Sequence, residues 1–300
     1  MKKINRTKLF LIIVFAISFT IAGIYYLLEG TGVGTIGFTI FGLIYMYIPA
    51  ISVVIVKKFF YREKIKFDLL ISFKINKWFF IAWLLVPVII FSTIVINLIL
   101  PDVAYNSEMS GLDNLLTPEQ IEQREQSLNS LPVNLLWLTL LQGLIAGLTV
   151  NALAAFGEEL AWRGFFLRSY EYMKFFKAAV IIGFIWGIWH APLVLMGHNY
   201  PQHLQIGVFM MIILSILLTP IFLYITIKAK SVIAASIMHG TMNAIAGISI
   251  MSITGGNDLT SGITGLAGFI TLTIFLIALI IYDYKISKDK IFISKINNYL

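Results

Sequence analysis

Long apolar runs alternate along this chain with short polar breaks. The runs lie at about 9–28, 33–56, 78–100, 134–160, 178–197, 205–227, 231–252 and 264–282. A helix needs about 20 mostly apolar residues to cross a hydrocarbon core of roughly 30 Å. The pattern therefore predicts an all-α fold: a polytopic membrane bundle of about eight transmembrane helices. The run at 134–160 is overlong and ends in charged residues, so its last turn is expected near a membrane boundary. The segment 101–133 is the longest polar interruption. Within it Thr117-Pro118-Glu119-Gln120 has the form of a helix start, Thr as N-cap and Pro in the first position, and predicts a short surface helix. The basic, aromatic stretch 59–80 is expected to lie along an anionic membrane surface.

Composition agrees with the pattern. Hydrophobic residues make up 59% of the 300 and charged residues 12%, with a mean hydropathy of +0.89. A soluble domain carries about twice that share of charge. Disordered, coiled-coil and disulfide-scaffold classes are excluded, and the chain has no cysteine for a thiolate metal site or a nucleophile. The net charge of +7 is no sign of nucleic-acid binding, because its placement follows the runs. With the N-terminus inside, every one of the 22 basic residues except Arg124 falls on a cytoplasmic segment. Both termini are then cytoplasmic. The outer segment 101–133 holds Asp102, Glu108, Asp113, Glu119, Glu122 and Glu125.

The first run follows Lys2, Lys3, Arg6 and Lys8, which also resembles a signal-peptide start. Leu27-Leu28-Glu29 is a poor cleavage site, so a retained first helix is expected. Three parts are drawn: 1–133 with three helices and the acidic outer loop, 134–252 as the core, and 253–300 with the last helix and a basic tail. No internal repeat is visible, which speaks against an inverted-repeat transporter.

Ionisable groups inside membrane spans are costly and mark function by default. Here they cluster in the second half of the chain. Glu158-Glu159-Leu160-Ala161-Trp162-Arg163 closes the fourth run, Trp186-Gly187-Ile188-Trp189-His190 lies in the fifth, and His239-Gly240-Thr241-Met242-Asn243 lies in the seventh. Glu159 and Arg163 are four apart, so they share a helix face as an ion pair would, while Glu158 points about 100° away. His239 and Asn243 share a face of another helix. A carboxylate, two imidazoles and an amide converging from three helices suit activation of water beside an amide bond, the carboxylate taking the proton and the others holding the oxyanion. His198 and His203 read as ordinary loop residues, and Trp162, Trp186 and Trp189 as packing. Gln142 and Asn151 are expected to hydrogen-bond between helices. At about 1.5 Å per residue, His239 lies roughly 13 Å beyond Lys230 and His190 roughly 20 Å beyond Lys177. A water-filled chamber opening toward the cytoplasm is the expectation.

Order, spacing and placement of these three motifs resemble the CPBP family of intramembrane proteases, which takes in the CAAX prenyl endopeptidases and many bacterial Abi proteins. The resemblance covers about 134–252. It implies that Glu158 activates the hydrolytic water with His190 as its partner, that His239 and Asn243 form the oxyanion site, and that Glu159 and Arg163 hold the loop and helix end. The second motif usually begins with Phe, where this chain has Trp186; that departure is expected to touch pocket shape and not chemistry. A metal-free glutamate mechanism with no cofactor is favoured, with zinc at Glu158, His190 and His239 as the alternative, since an Asn in place of a third strong ligand is unusual for catalytic zinc.

The function implied is an intramembrane endopeptidase cutting a membrane-embedded or lipidated peptide or protein in a bacterial plasma membrane. Bacteriocin maturation, self-immunity and peptide signalling are the implied settings. Its partners would be that substrate and the lipid bilayer, with no nucleic acid. A non-proteolytic scaffold regulating a membrane partner such as a sensor kinase is the alternative.

Overall fold

The computed structural model describes residues 5–31, 34–65, 68–113, 116–129, 133–287 and 289–300. Lys2, Lys3, Lys66 and Lys288 of the orientation argument lie outside them. In chain order come α1 (Arg6–Glu29), α2 (Ile36–Val54, continued by a π turn over Ile55–Phe60), α3 (Lys77–Asn97), β1 (Ala104–Tyr105) and α4 (Pro118–Asn129). Next are α5 (Leu135–Leu148), α6 (Val150–Glu159, continued by a π turn over Leu160–Phe165), α7 (Phe166–Ser169), α8 (Phe175–Trp189) and α9 (Ala191–Leu195). The chain ends with α10 (Leu204–Ala229), α11 (Val232–Ile245), α12 (Ile248–Met251), β2 (Ile253–Thr254) and α13 (Leu266–Ile281). The protein is a polytopic helical bundle.

Every apolar run of the sequence carries helix, but not every run is one straight span. Among the described residues six helices are long and apolar enough to cross a membrane. The fourth run is instead a pair, α5 and α6–α7, bent by 51°. The break sits at Thr149, whose hydroxyl donates back to the carbonyl of Ile145 at 2.8 Å, a bond that competes with the helix ladder. The fifth run is the 15-residue α8, stopped by Pro192 just beyond it. The surface helix after Thr117 forms as α4. Thr117 Oγ1 accepts from the Gln120 amide and Gln120 Oε1 from the Thr117 amide, a capping box.

Helix α11 is the centre of the bundle, packed against α3, α5, α6 and α10, while α8 lies along α10 and α2 along α6. Helix α1 closes onto the same core: Phe10 meets Trp162 and Phe166 edge-on, and Ser18 Oγ accepts from Trp189 Nε1 at 2.8 Å. The three sequence parts thus pack as one body.

Two sets of ties define two opposite faces. On the face that carries the basic segments, Lys57 pairs with Glu63 and Asp68, Arg168 Nε donates to the Asp68 carbonyl, Asn76 to the Ala229 carbonyl, and Lys228 pairs with Asp289. On the other face β1 pairs antiparallel with β2, Tyr200 Oη donates to the Thr264 carbonyl at 2.8 Å, and Asp258 holds both the Gln202 amide and His203 Nδ1. Among the described residues Gln142 and Asn151 make no hydrogen bond between helices. That role falls to Asn97, which donates to the Ser249 carbonyl, and to Trp83, which donates to the Leu144 carbonyl. Gln142 is exposed on the flank of α5.

Candidate active site

Close helix crossings bring the motif residues together, and two glycines permit them. A Cβ on Gly157 would lie 2.4 Å from the Met46 carbonyl of α2, and a Cβ on Gly240 would lie 2.4 Å from the Ala152 amide of α6. Backbone therefore meets backbone beside Glu158 and beside His239. Any larger residue would push α2 or α11 away from α6 and separate the acids from the histidines.

His190 reaches the site because α8 ends there. Its own amide bonds back to the Gly187 carbonyl at 3.2 Å, three residues earlier, so the Trp186 carbonyl loses its usual helical partner. The His190 ring fills the gap, Nδ1 lying 2.8 Å from that carbonyl. A carbonyl only accepts, so Nδ1 carries the proton and Nε2 is the free nitrogen. Nε2 lies 4.0 Å from Glu158 Oε2, a separation that a single water bridges.

Glu158 is 2% exposed and, among the described residues, pairs with no Lys or Arg. Its Oε2 accepts from Trp186 Nε1 at 2.7 Å and from Trp162 Nε1 at 3.3 Å. Among the described residues Oε1 has no hydrogen-bond partner, and the carboxylate lines a cavity. The carboxylate is thus fixed in orientation by one oxygen and left free to act with the other.

Arg163 belongs to the neighbouring acid. Its Nη1 donates to Glu159 Oε1 at 2.9 Å, both side chains fully buried, and its guanidinium lies 4.1 Å from the Trp186 ring centre and 4.5 Å from that of Phe222. The same Glu159 oxygen accepts from His239 Nδ1 at 2.8 Å. Glu159 therefore does more than hold a helix end: it fixes the ring of His239 and turns Nε2 away from itself. Arg163 in turn braces the indole that binds Glu158.

These groups border one cavity of about 480 Å³, with Glu158, Trp186, His190, His239 and Asn243 in its wall. Asn243, one turn beyond His239, is exposed there and makes no hydrogen bond among the described residues. All six ionisable and amide residues of the sequence argument are brought together, Glu159 and Arg163 just behind the wall and the other four in it.

The expected opening toward the cytoplasm is not shown by the cavity wall. Below Glu158 on that side, Trp162, Arg163 and Phe166 are fully buried and close the floor. The wall instead runs up to Gly34, Asn199 and Thr264, on loops of the opposite face.

Three contributors were not foreseen. Trp186 was expected to alter pocket shape alone, yet its indole N–H supplies a hydrogen bond to Glu158 that a Phe lacks. His198 was read as a loop residue, but it lines the cavity, its ring centre 6.2 Å from that of Phe38. Tyr45 of α2 donates to the Trp189 carbonyl at 2.8 Å and pins the end of α8. A histidine eight positions past His190, beyond a proline, carries no periodic signal that would have placed it. His203 does hold a structural place, against Asp258 at 2.5 Å. Among the described residues no three His, Asp or Glu side chains gather closely enough to hold a metal ion.

Comparison with known proteins converges on the same segment. Residues 132–245 match the family described as "Type II CAAX prenyl endopeptidase Rce1-like". A curated relative, CAAX prenyl protease 2 of Methanococcus maripaludis, is 31% identical over 149 residues, covering 46% of this chain and 50% of the relative. The chain thus spans about half the length of the curated relative it matches. The matched stretch holds all three motifs, from Glu158 to Asn243, and most of the cavity wall. It is this segment, with the motifs and the cavity they line, that is similar to the CAAX prenyl endopeptidases.

Proposed function

We propose that the protein is an intramembrane endopeptidase that hydrolyses a peptide bond of a membrane-embedded or lipidated peptide or protein. One observation carries the reading: a buried carboxylate lines a cavity, one of its oxygens held by two indoles and standing 4.0 Å from an imidazole nitrogen, the other without a hydrogen-bond partner among the described residues. A structural carboxylate in such a place would be neutralised, as Glu159 is by Arg163.

In the proposed reaction a water lies between Glu158 and His190. Glu158 takes its proton as the water oxygen attacks the peptide carbonyl carbon. The Asn243 amide donates to the oxyanion. The Glu159 carboxylate stabilises an imidazolium at His239, whose Nε2–H is then a second donor. Collapse breaks the C–N bond, and the proton held by Glu158 passes to the leaving nitrogen. The products are a carboxylic acid and an amine, with Glu158 ionised again. No resident metal takes part in this scheme.

The setting proposed is a bacterial plasma membrane, with roles in bacteriocin maturation, self-immunity or peptide signalling. The test is cleavage by the purified protein in lipid nanodiscs, read by mass spectrometry, with two peptides. One is prenylated near its C-terminus, as the relative's name suggests, and one is an unlipidated membrane-inserting peptide. Cleavage of either supports the reading, and its persistence after dialysis against a chelator supports the metal-free scheme. Activity lost to the chelator and restored by zinc would overturn that scheme. A phenotype in cells that survives Glu158→Gln would favour the scaffold reading instead.

A further inference from the structure

The catalytic cavity does not end at the loops. A second cavity of about 290 Å³ lies on the face opposite the basic segments, and the two have Asn199, Ala246, Ile263 and Thr264 in common as wall residues. Its wall, like that of the first, is mainly apolar. The site cavity is walled mainly by aromatic and aliphatic side chains, as suits a lipid-like or apolar occupant. The loop cavity adds glycines at Gly111, Gly247 and Gly255 and polar side chains at Gln202, Asn257 and Asp258 to its wall. Peptide N–H and C=O groups must find partners wherever water is displaced, and such a wall supplies them.

Two further observations point to an occupant. Thr264 stands in the common wall, 8% exposed, and its hydroxyl has no partner among the described residues. The loop forming the rim is also held in place with care. Gly197 and Asn199 adopt left-handed backbone (φ 104° and 64°) on either side of His198, while Tyr200 and His203 are tied to Thr264 and Asp258. Strained backbone in a clamped loop beside a cavity is a feature of sites that hold ligands.

We infer that the substrate is an extended polypeptide whose polar flank leaves the catalytic cavity past Ala246 and Thr264 and lies in the loop cavity, on the face opposite the basic segments. The inference rests on the endopeptidase reading and adds a direction to it. By the distribution of basic residues that face is outside the cytoplasm. The substrate class is then a membrane-inserted peptide with its polar flank on the non-cytoplasmic side, such as a translocated precursor, in place of a cytoplasmic protein tail.

The absence of native cysteine makes a direct test available. Single cysteines are placed at Ala246 in the common wall, at Gly247 in the loop cavity, and at exposed Lys177 on the basic face, in the Glu158→Gln background. They are labelled in intact cells with a membrane-impermeant maleimide. Ala246→Cys and Gly247→Cys should label in intact cells, and Lys177→Cys only after lysis. In purified protein, a membrane-inserted peptide with a polar flank should slow labelling at Ala246→Cys at least fivefold. Labelling of the two cavity cysteines only from the Lys177 side, or no protection by the peptide, would overturn the inference. This readout needs no hydrolysis, so it stands apart from failure of the endopeptidase reading, which would show as a wild-type protein that cleaves nothing.

A second variant tests the path by size. An added Cβ at Gly247 meets nothing nearer than Met251 Sδ at 3.8 Å, so Gly247→Phe is expected to fold with an unchanged melting temperature. It should raise KM at least tenfold for a peptide with an extended flank, and equal KM in variant and wild type would count against the proposed path.

Discussion

Lys57 and Glu158 are each 2% exposed, and they show two ways in which this bundle tolerates a buried charge. The Lys57 ammonium bonds Glu63 at 2.7 Å and also Asp68, and Arg6 reaches the same Glu63. Its charge is matched on the spot by carboxylates that remain partly in water. Glu158 has no such match. Arg163 is engaged by Glu159, and among the described residues Glu158 receives two indole N–H groups on one oxygen and none on the other. Neutralised charge ties the basic face together; unneutralised charge beside a cavity stores capacity for proton transfer. The difference separates structural from chemical use of the same scarce residue types.

Substitution should expose that difference. Glu158→Gln keeps the indole-accepting oxygen and removes the base, so kcat should fall by about 10²–10⁴-fold while the melting temperature holds or rises. Lys57→Met should do the reverse, lowering stability by about 1–2 kcal/mol with activity per folded molecule near wild type. Thermal unfolding and activity measured on the same preparations check both. The next largest effect is expected at Glu159→Gln. Leaving fully buried Arg163 without its partner should cost about 3–5 kcal/mol of stability, and loss of the His239 tether should lower kcat as well.

Trp186→Phe sharpens the comparison further, because it removes one hydrogen bond to Glu158 and little volume. A bond to a charged group is worth about 1.5–3 kcal/mol, so kcat should drop roughly ten- to a hundredfold with KM little changed. An unchanged kcat would restore the view that this position sets only pocket shape. The smallest effect concerns His198, in the rim loop, whose imidazole burial pushes down to about 4. A folded-state value below that of the unfolded chain favours the neutral form. The associated stability is present above the unfolded histidine range and lost as pH falls toward 4. His198→Gln should flatten this decline in melting temperature between pH 7 and pH 4.5, and an unaltered acid limb would contradict it.

Much of this was legible from the chain alone. Hydrophobic runs located every helix long and apolar enough to cross a membrane among the described residues, because lipid forbids unsatisfied backbone and leaves helix as the solution for an apolar run of that length. Four-residue spacing correctly paired Glu159 with Arg163 and separated Glu158 from both. What the spacing did not reveal depends on contacts distant in sequence. Glu159 binds His239 across 80 positions, and Trp186 binds Glu158 across 28. Two helix breaks, at Thr149 and His190, were hidden as well. A hydropathy profile passes over both, since Thr149 and Pro192 sit inside runs that remain apolar on average. His198 followed from the second break and was misplaced with it.

The central claim is that Glu158 is the base for peptide hydrolysis. Its most direct test is a single-turnover reaction of purified wild-type and Glu158→Gln protein in nanodiscs with a membrane-inserted peptide, read by mass spectrometry for the two product fragments. The account predicts both fragments from the wild type and none above background from Glu158→Gln, at equal melting temperature. Fragments formed by Glu158→Gln at the wild-type rate would contradict it.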